Sequence, residues 1–232
     1  MLVYGKAGSG KSVFASTFPK PLIFDFDSGH KIYENQKLFL EAKYVRQESL
    51  KNGSLLGALA LAIKQIKEGT NKFETIVIDS LTNLENTAIS RMKGTNSENW
   101  DQNLYNSRGK KLDFTDWGNI SGSSIALLTE LRQYPINIIV ITQVSTYSDS
   151  GTEKYKPELV GKGQDESLHY PDFVMFMEKH EEGRFGYLSS TDQDRFVAKA
   201  RLGVSEIKPI KNPNYAKMKA LIESSKAALD FS

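Results

Sequence analysis

Cysteine is absent from the 232-residue chain, and histidine occurs only three times. The absence of cysteine excludes disulfides, thiolate zinc sites and cysteine nucleophiles, and it favours an intracellular protein. Because His30, His169 and His180 are scattered, we predict no metal site built from them. The formal net charge is only +2, so no general basic field indicates a nucleic-acid partner, and only a local patch could do so.

Long apolar runs are also missing. No stretch reaches the roughly 18 apolar residues needed to cross a bilayer, and the opening residues MLVYGKAG do not resemble a signal peptide. The hydrophobic fraction of 39% and the aromatic fraction of 10% are typical of a globular protein. We therefore predict a cytoplasmic protein with no membrane partner.

The segment GKAGSGKS, at residues 5–12, matches the pattern G-x-x-x-x-G-K-[ST]. The preceding LVY predicts a short strand, and the following VFASTF predicts a helix. Glycines let successive backbone N–H groups turn toward an anion. We predict that Lys11 reaches the β- and γ-phosphates of a nucleotide and that the Ser12 hydroxyl binds Mg²⁺. The predicted nucleotide-binding residues are Gly5, Lys6, Ala7, Gly8, Ser9, Gly10, Lys11, Ser12 and Val13.

Strand and helix patterns alternate along the rest of the chain. Strands are predicted at Leu22–Phe26, in TIVI before Asp79 and in INIIVITQ, and helices at 30–42, 54–69, 81–92 and from FTDWGN to just before Pro135. Residues 145–168 are predicted to form a long polar loop, and the segment from Tyr170 to Arg201 three strands joined by turns. This order predicts one α/β domain with a mostly parallel sheet between helices and antiparallel strands added on the C-terminal side. We place its core at residues 1–205 and a helical tail at 206–232.

Asp79 lies at the predicted carboxyl end of the TIVI strand, the edge of an open α/β sheet at which ligands bind. Together with the loop at 5–12, this position predicts that Asp79 organises Mg²⁺ with Ser12. The alternative is a purely structural role for Asp79 as the N-cap of the following helix.

In their order along the chain, GKAGSGKS, LIFDFDSG, IVIDS and IIVITQ resemble the motifs of the RecA-like P-loop ATPases, with GKAGSGKS as the Walker A loop. The resemblance spans about residues 1–205. It is closest to the small phage ATPases of that superfamily that act in single-strand annealing and recombination. It implies ATP and Mg²⁺ as cofactors.

The resemblance also implies roles for individual residues. Asp27 falls where the family has its water-activating carboxylate, usually a glutamate, and Asp25 is the alternative. Gln143 falls at the polar sensor of the γ-phosphate. Lys199 and Arg201 resemble a basic pair that reaches the γ-phosphate of a neighbouring subunit, which requires a homo-oligomer. The predicted catalytic residues are thus Lys11, Asp27, Asp79, Gln143, Lys199 and Arg201.

Two segments correspond in position to the DNA-binding loops of RecA-like recombinases. The segment from Arg91 to Lys111 combines five cations with Trp100 and Tyr105, a composition that suits single strands because charges follow phosphates and rings stack on bases. The alternative is a solvated surface insertion. The segment from Ser145 to His169 has an acidic balance, although Tyr147 and Tyr155 could stack on bases.

The resemblance therefore implies a DNA-stimulated ATPase that binds single-stranded DNA and promotes annealing or strand pairing. We expect a homo-oligomer, as a ring or a filament, with a single-strand-binding protein as a further partner, in the host cytoplasm if a phage encodes the chain. Three alternatives stay open: a replicative helicase-type motor, a small-molecule kinase, and a nucleotide-gated DNA-binding module with little hydrolysis.

Overall fold

The computed structural model describes residues 1–27, 29, 43–45, 55–92, 112–149, 151–161, 163–190, 195–202 and 207–229. Strands and helices alternate along this part of the chain. In order they are β1 (Leu2–Tyr4), α1 (Lys11–Ser16), β2 (Pro21–Asp25), β3 (Lys43–Val45), α2 (Leu55–Lys67), β4 (Thr75–Asp79), α3 (Leu81–Met92), α4 (Phe114–Leu131), β5 (Asn137–Thr142), β6 (Val144–Asp149), β7 (Thr152–Pro157), α5 (Gly163–Glu166), β8 (Phe173–His180), β9 (Gly183–Tyr187), β10 (Lys199–Ala200), β11 (Ile210–Lys211) and α6 (Tyr215–Leu229).

Nine strands of the described residues form one sheet, in which the order β8-β1-β5-β4-β2-β3 is parallel throughout. Strands β9 and β10 pair with β8 in antiparallel fashion, and β11 pairs with β9 in the same way. The prediction of an α/β core, mostly parallel with antiparallel strands added late in the chain, is confirmed. Because parallel strands end at a common edge, the residues that follow β1, β2, β4 and β5 lie close together.

The parallel strands are covered on both faces. On one face, Phe14 of α1 and Met218 of α6 are buried against the sheet. On the other, Leu59 of α2, Leu81 of α3 and Leu128 of α4 form a second buried cluster. All five residues of β4 are buried, as expected for the continuous apolar run of a central strand.

Most of the predicted helices are confirmed. Apolar side chains four and three residues apart place one face of α2 in the core, and Gly69, at φ +66°, follows its end. Helix α4 begins with a capping box between Asp113 and Asp116. The predicted helix at 30–42 lies outside the described residues, as does residue 54, the first of the predicted helix at 54–69.

The prediction of a long polar loop at residues 145–168 is wrong, because β6 and β7, with six residues each, form an antiparallel hairpin. Gly151 adopts φ +81° in its turn, a conformation that glycine adopts readily. The polar composition of the hairpin concealed its pattern, since only one face packs on the protein. The buried Tyr155 stacks there on Phe176, with ring centroids 5.4 Å apart.

The predicted three strands after Tyr170 are present as β8, β9 and the two-residue β10. The segment predicted as a helical tail contains α6 and also the short strand β11, which was not predicted. Its Tyr215 ring contacts Phe18 at 5.0 Å between centroids, and Met218 is 2% exposed. The boundary at 205 stays a prediction. No helix in the described part of the chain is long and apolar enough to span a membrane.

Candidate active site

The loop between β1 and α1 has the backbone of an anion cradle. Gly5, Gly8 and Gly10 have φ values of +153°, +77° and +97°, a region that residues with a side chain rarely adopt. A Cβ atom on Gly5 would lie 2.1 Å from the carbonyl oxygen of Met177, whereas a Cβ on Gly8 would meet nothing within 4 Å. The buried Ser9 Oγ has no hydrogen-bond partner among the described residues. This loop therefore fits a polyphosphate.

Lys11 lies folded against its own loop. Its Nζ donates to the carbonyl oxygens of Gly5, at 2.7 Å, and Lys6, at 3.1 Å. Burial lowers the pKa of Lys11, and the nearby Asp79 and Asp27 carboxylates oppose that shift. A half-buried ammonium that bonds only to neutral carbonyl oxygens has a stronger partner in a phosphate oxygen.

Ser12 and Asp79 meet across the site. The Ser12 hydroxyl donates to Asp79 Oδ2 at 2.6 Å, and Asp79 is 3% exposed at the carboxyl end of β4. A hydroxyl and a carboxylate are the oxygen ligands that Mg²⁺ prefers. These two residues therefore fit the metal of a Mg²⁺–nucleotide complex. No cluster of three or more histidine, aspartate or glutamate side chains that could hold a metal ion occurs among the described residues.

Asp27 and Asp25 have different surroundings in the structure. Asp27 Oδ1 accepts hydrogen bonds from the Ser80 amide at 3.1 Å, the Ser80 hydroxyl at 2.7 Å and Asn83 Nδ2 at 2.7 Å. Asp25 is 1% exposed and accepts from the amide of Gly29 at 3.1 Å. Asp27 is exposed and borders the cavity beside the loop, so its position favours it as the carboxylate that faces water.

A cavity of about 350 Å³ lies beside the loop. This volume is within the range of small-molecule sites. The cavity joins residues from the ends of β1, β2, β4 and β5, as the common edge of parallel strands requires. Its lining consists of Gly5, Lys6, Ala7, Lys11, Asp27, Ser80, Ile141, Gln143 and Val144.

Gln143 connects the cavity to the β6–β7 hairpin. Its amide donates to Thr82 Oγ1 at 3.0 Å, and its carbonyl oxygen accepts from the amide of Glu158 at 2.9 Å. The Thr82 hydroxyl donates in turn to the carbonyl oxygen of Glu158 at 2.8 Å. Both ends of the hairpin are therefore held at the residue that faces the cavity.

Lys199 and Arg201 lie at the end of the sheet where the parallel strands begin, opposite the end that carries the P-loop. Lys199 pairs with Val174 in the register that aligns Val174 with Leu2, at the start of β1. Lys199 Nζ donates to the carbonyl oxygen of Leu168 at 2.7 Å, and Arg201 Nη2 to that of His169 at 2.7 Å. The structure thus does not bring this pair to the other predicted catalytic residues of the same chain.

Several contacts at the site could not be predicted. Asn83 and Thr82 follow the IVIDS motif, but their partners are distant in sequence. Lys6 Nζ lies 3.3 Å from the Tyr155 hydroxyl, which links the loop to β7.

The first predicted DNA-binding segment lies outside the described residues. This applies to the side chains of Arg91 and Met92 and to all of residues 93–111.

The buried carboxyl group of Glu85 links α3 to α4 and to the residues that follow β7. Glu85 is 2% exposed and accepts from the Ser124 hydroxyl at 2.6 Å and from the amide of Val160 at 2.8 Å. Burial raises the pKa of Glu85, and the two hydrogen bonds oppose that shift. The folded state therefore binds a proton more tightly than the unfolded state.

We expect the variant Glu85→Gln to gain stability relative to the wild type as pH rises. The favourable contribution of Glu85 is complete below its unfolded pKa of about 4.3, and it is lost as pH rises through the higher folded pKa. The oxygen of a glutamine can still accept from the Val160 amide, and its NH₂ can donate to the Ser124 hydroxyl, so two hydrogen bonds form without the charge. Urea unfolding between about pH 4 and pH 8 measures the difference. Glu85→Ala, the control, should lose roughly 2–3 kcal/mol near pH 4, and the loss should shrink as pH rises because alanine cannot ionise. Parallel wild-type and Glu85→Gln profiles would contradict the assignment.

The family comparison agrees with a P-loop at residues 5–12. A family model described as an AAA domain, AAA_24, matches residues 1–202. Among solved structures, the chain is similar to a KaiC-like protein from the hyperthermophilic archaeon Pyrococcus horikoshii OT3, with 16% identity, a TM-score of 0.49, and coverage of 90% of this chain and 82% of that one. No curated protein sequence matches the chain. Since the family match spans most of the sequence and includes the whole loop, the chain belongs to the AAA domain family of P-loop ATPases.

Proposed function

We propose that this ATPase binds single-stranded DNA and promotes strand annealing or pairing, as the small phage ATPases that it resembles do. ATP and Mg²⁺ occupy the P-loop site, where Ser12 and Asp79 hold the metal and Asp27 faces the attacking water. The observation on which the proposal rests is the position of Gln143. It lines the ATP cavity and also holds both ends of the β6–β7 hairpin.

The outer face of the hairpin has the composition of a single-strand surface. The register of β6 and β7 places Tyr147, Lys154 and Lys156 on one face, opposite the face of the buried Tyr155. Tyr147 is 40% exposed, and Lys156 Nζ lies 5.2 Å from its ring centroid. An exposed ring suits base stacking, and Lys156 beside it suits a phosphate. Lys154 is already paired with Asp149 at 2.7 Å.

The assay for this proposal is ATP turnover with and without single-stranded DNA, together with DNA binding by gel shift. We expect DNA to stimulate turnover. Tyr147→Ala should weaken DNA binding by about fivefold to a hundredfold, the cost of one lost base stack. Leu61→Ala is the matched control, because Leu61 is a 56% exposed apolar residue of α2.

The outcomes separate the alternatives. DNA binding without turnover would identify a nucleotide-gated module, and transfer to a small acceptor would identify a kinase. ATP-driven unwinding of a duplex would identify a helicase-type motor. If Tyr147→Ala binds DNA as tightly as Leu61→Ala does, the hairpin is not the DNA surface. A single-strand-binding protein as a further partner stays a prediction.

We further propose that Lys199 and Arg201 act on the nucleotide of a neighbouring copy, in a ring or a filament. Their place at the edge opposite the P-loop supports action between subunits, because the same chain cannot bring them to its own site. Mixing Lys11→Ala with Arg201→Ala protein tests this role. Each variant lacks one half of a composite site, so mixed oligomers should recover turnover that neither variant has alone. The absence of any recovery would count against it.

A further inference from the structure

Two cations face each other across β8 and β9. Lys179 and Arg184 are directly opposed in the antiparallel register, so their side chains lie on the same face with Cβ atoms roughly 5 Å apart. Like charges in this arrangement repel each other and destabilise the pair of strands. Neither side chain has a hydrogen bond or an ion pair with any other described residue. No anionic group among the described residues therefore balances the charges of Lys179 and Arg184.

The carboxylates of these strands do not compensate the pair. Glu178 points to the other face of the sheet, where it accepts from Arg195 Nη2 at 2.7 Å. Glu181 and Glu182, in the turn between the strands, form no ion pair with either cation in the described structure. The face shared by Lys179 and Arg184 is thus positively charged.

This face adjoins the P-loop. A Cβ atom on Gly10 would lie 2.4 Å from Arg184 Cδ and 2.8 Å from its Nε, so the Arg184 side chain passes directly over this glycine. Gly10 immediately precedes Lys11 and Ser12, which bind the phosphates and the metal. Only the lack of a side chain at Gly10 allows the guanidinium to approach the cradle so closely.

We propose that Lys179 and Arg184 form the outer wall of the nucleotide site and bind the phosphate chain of the nucleotide in the same subunit. The inference rests on nucleotide binding by the P-loop and adds a second protein surface to that site. A polyphosphate between the strands and the loop offsets the repulsion between the two cations. Arg184 offers a planar fork for two phosphate oxygens, whereas Lys179 contributes a single point charge. The wall acts within one subunit, unlike Lys199 and Arg201.

Calorimetric titration of Mg²⁺–ATP and Mg²⁺–ADP into single variants tests the proposal. Arg184→Ala should weaken the binding of both nucleotides by about tenfold, because a charge-assisted hydrogen bond is lost. Arg184→Lys should show a smaller loss, as should Lys179→Ala. Lys211→Ala is the matched control, since Lys211 lies on the adjacent β11 but over the ring of Phe185, on the other face.

The thermal midpoint of the nucleotide-free protein distinguishes ligand binding from a structural role. Arg184→Ala removes a repulsion, so this midpoint should stay equal or rise, while the upward shift caused by ATP becomes smaller. Weak ATP binding together with a lowered midpoint would indicate a structural role and overturn the inference. If Arg184→Ala keeps wild-type affinity for the nucleotide while Lys11→Ala loses binding, the proposed wall is wrong but the P-loop site stands. Wild-type affinity in both variants would overturn the nucleotide site as well.

Discussion

Replacement of Lys11 by alanine is expected to lower ATP turnover by about a thousandfold and to weaken ATP binding. The Lys11 ammonium donates to carbonyl oxygens of the loop, and the charges of Asp79 and Asp27 favour its protonated form by raising its pKa. Without it, Lys6 would be the remaining cation of the loop, and its Nζ contacts the Tyr155 hydroxyl at 3.3 Å. Steady-state turnover and ATP titration together separate the loss in kcat from the loss in affinity.

The matched control for this variant is Lys64→Ala. Lys64 is exposed on α2 and forms only an i,i+4 ion pair with Glu68 at 3.7 Å. Such a surface pair contributes little to stability, so the control should keep wild-type turnover. Lys11→Ala should also remain folded, because the two hydrogen bonds that it removes are part-buried and exposed ones, not core contacts. A Lys11→Ala protein that kept more than about a tenth of wild-type turnover would contradict the assignment of the phosphate site.

Replacement of Asp27 by asparagine is expected to lower kcat by about a hundredfold or more while ATP binding is retained. An asparagine oxygen can still accept from the Ser80 amide and hydroxyl, so the loop after β2 keeps its place. The amide cannot accept a proton from the attacking water. Single-turnover kinetics with saturating ATP report this step separately from binding.

Two further variants decide which carboxylate acts. Asp27→Glu restores the glutamate that RecA-like ATPases usually have there, and it should keep turnover or raise it. Asp25→Asn should change mainly the free energy of unfolding, because Asp25 is buried and accepts from Gly29. If folded Asp25→Asn protein loses turnover and Asp27→Asn does not, the two roles are reversed.

The residues at the ends of parallel strands were predictable from sequence. Each belongs to a short local pattern, an apolar run followed by glycine, aspartate or glutamine, and the sheet brings such ends to one edge. Lys11, Ser12, Asp27, Asp79 and Gln143 therefore came together without any knowledge of distant contacts. The roles of Asp27, Gln143, Lys199 and Arg201 were assigned through resemblance, and the fold places Lys199 and Arg201 at the other end of the parallel strands.

The contacts that join separate elements were not predictable. Lys179 and Arg184 are more than 160 positions from Gly10 in the sequence, and no local pattern links a strand lysine or arginine to a glycine-rich loop. The β6–β7 hairpin was missed for a related reason. Its one buried face depends on Tyr155 packing against Phe176, a tertiary contact that outweighs the polar composition of the segment.

Strand β1 has only three residues, but it is paired along both edges, with Tyr4 opposite Thr142 of β5 and Phe176 of β8. The Tyr4 hydroxyl further donates to the carbonyl oxygen of Val197 at 2.7 Å. The residue from which the P-loop departs is thus anchored on three sides before any nucleotide arrives. Such preorganisation reduces the conformational entropy lost on association, so more of the interaction free energy appears as affinity.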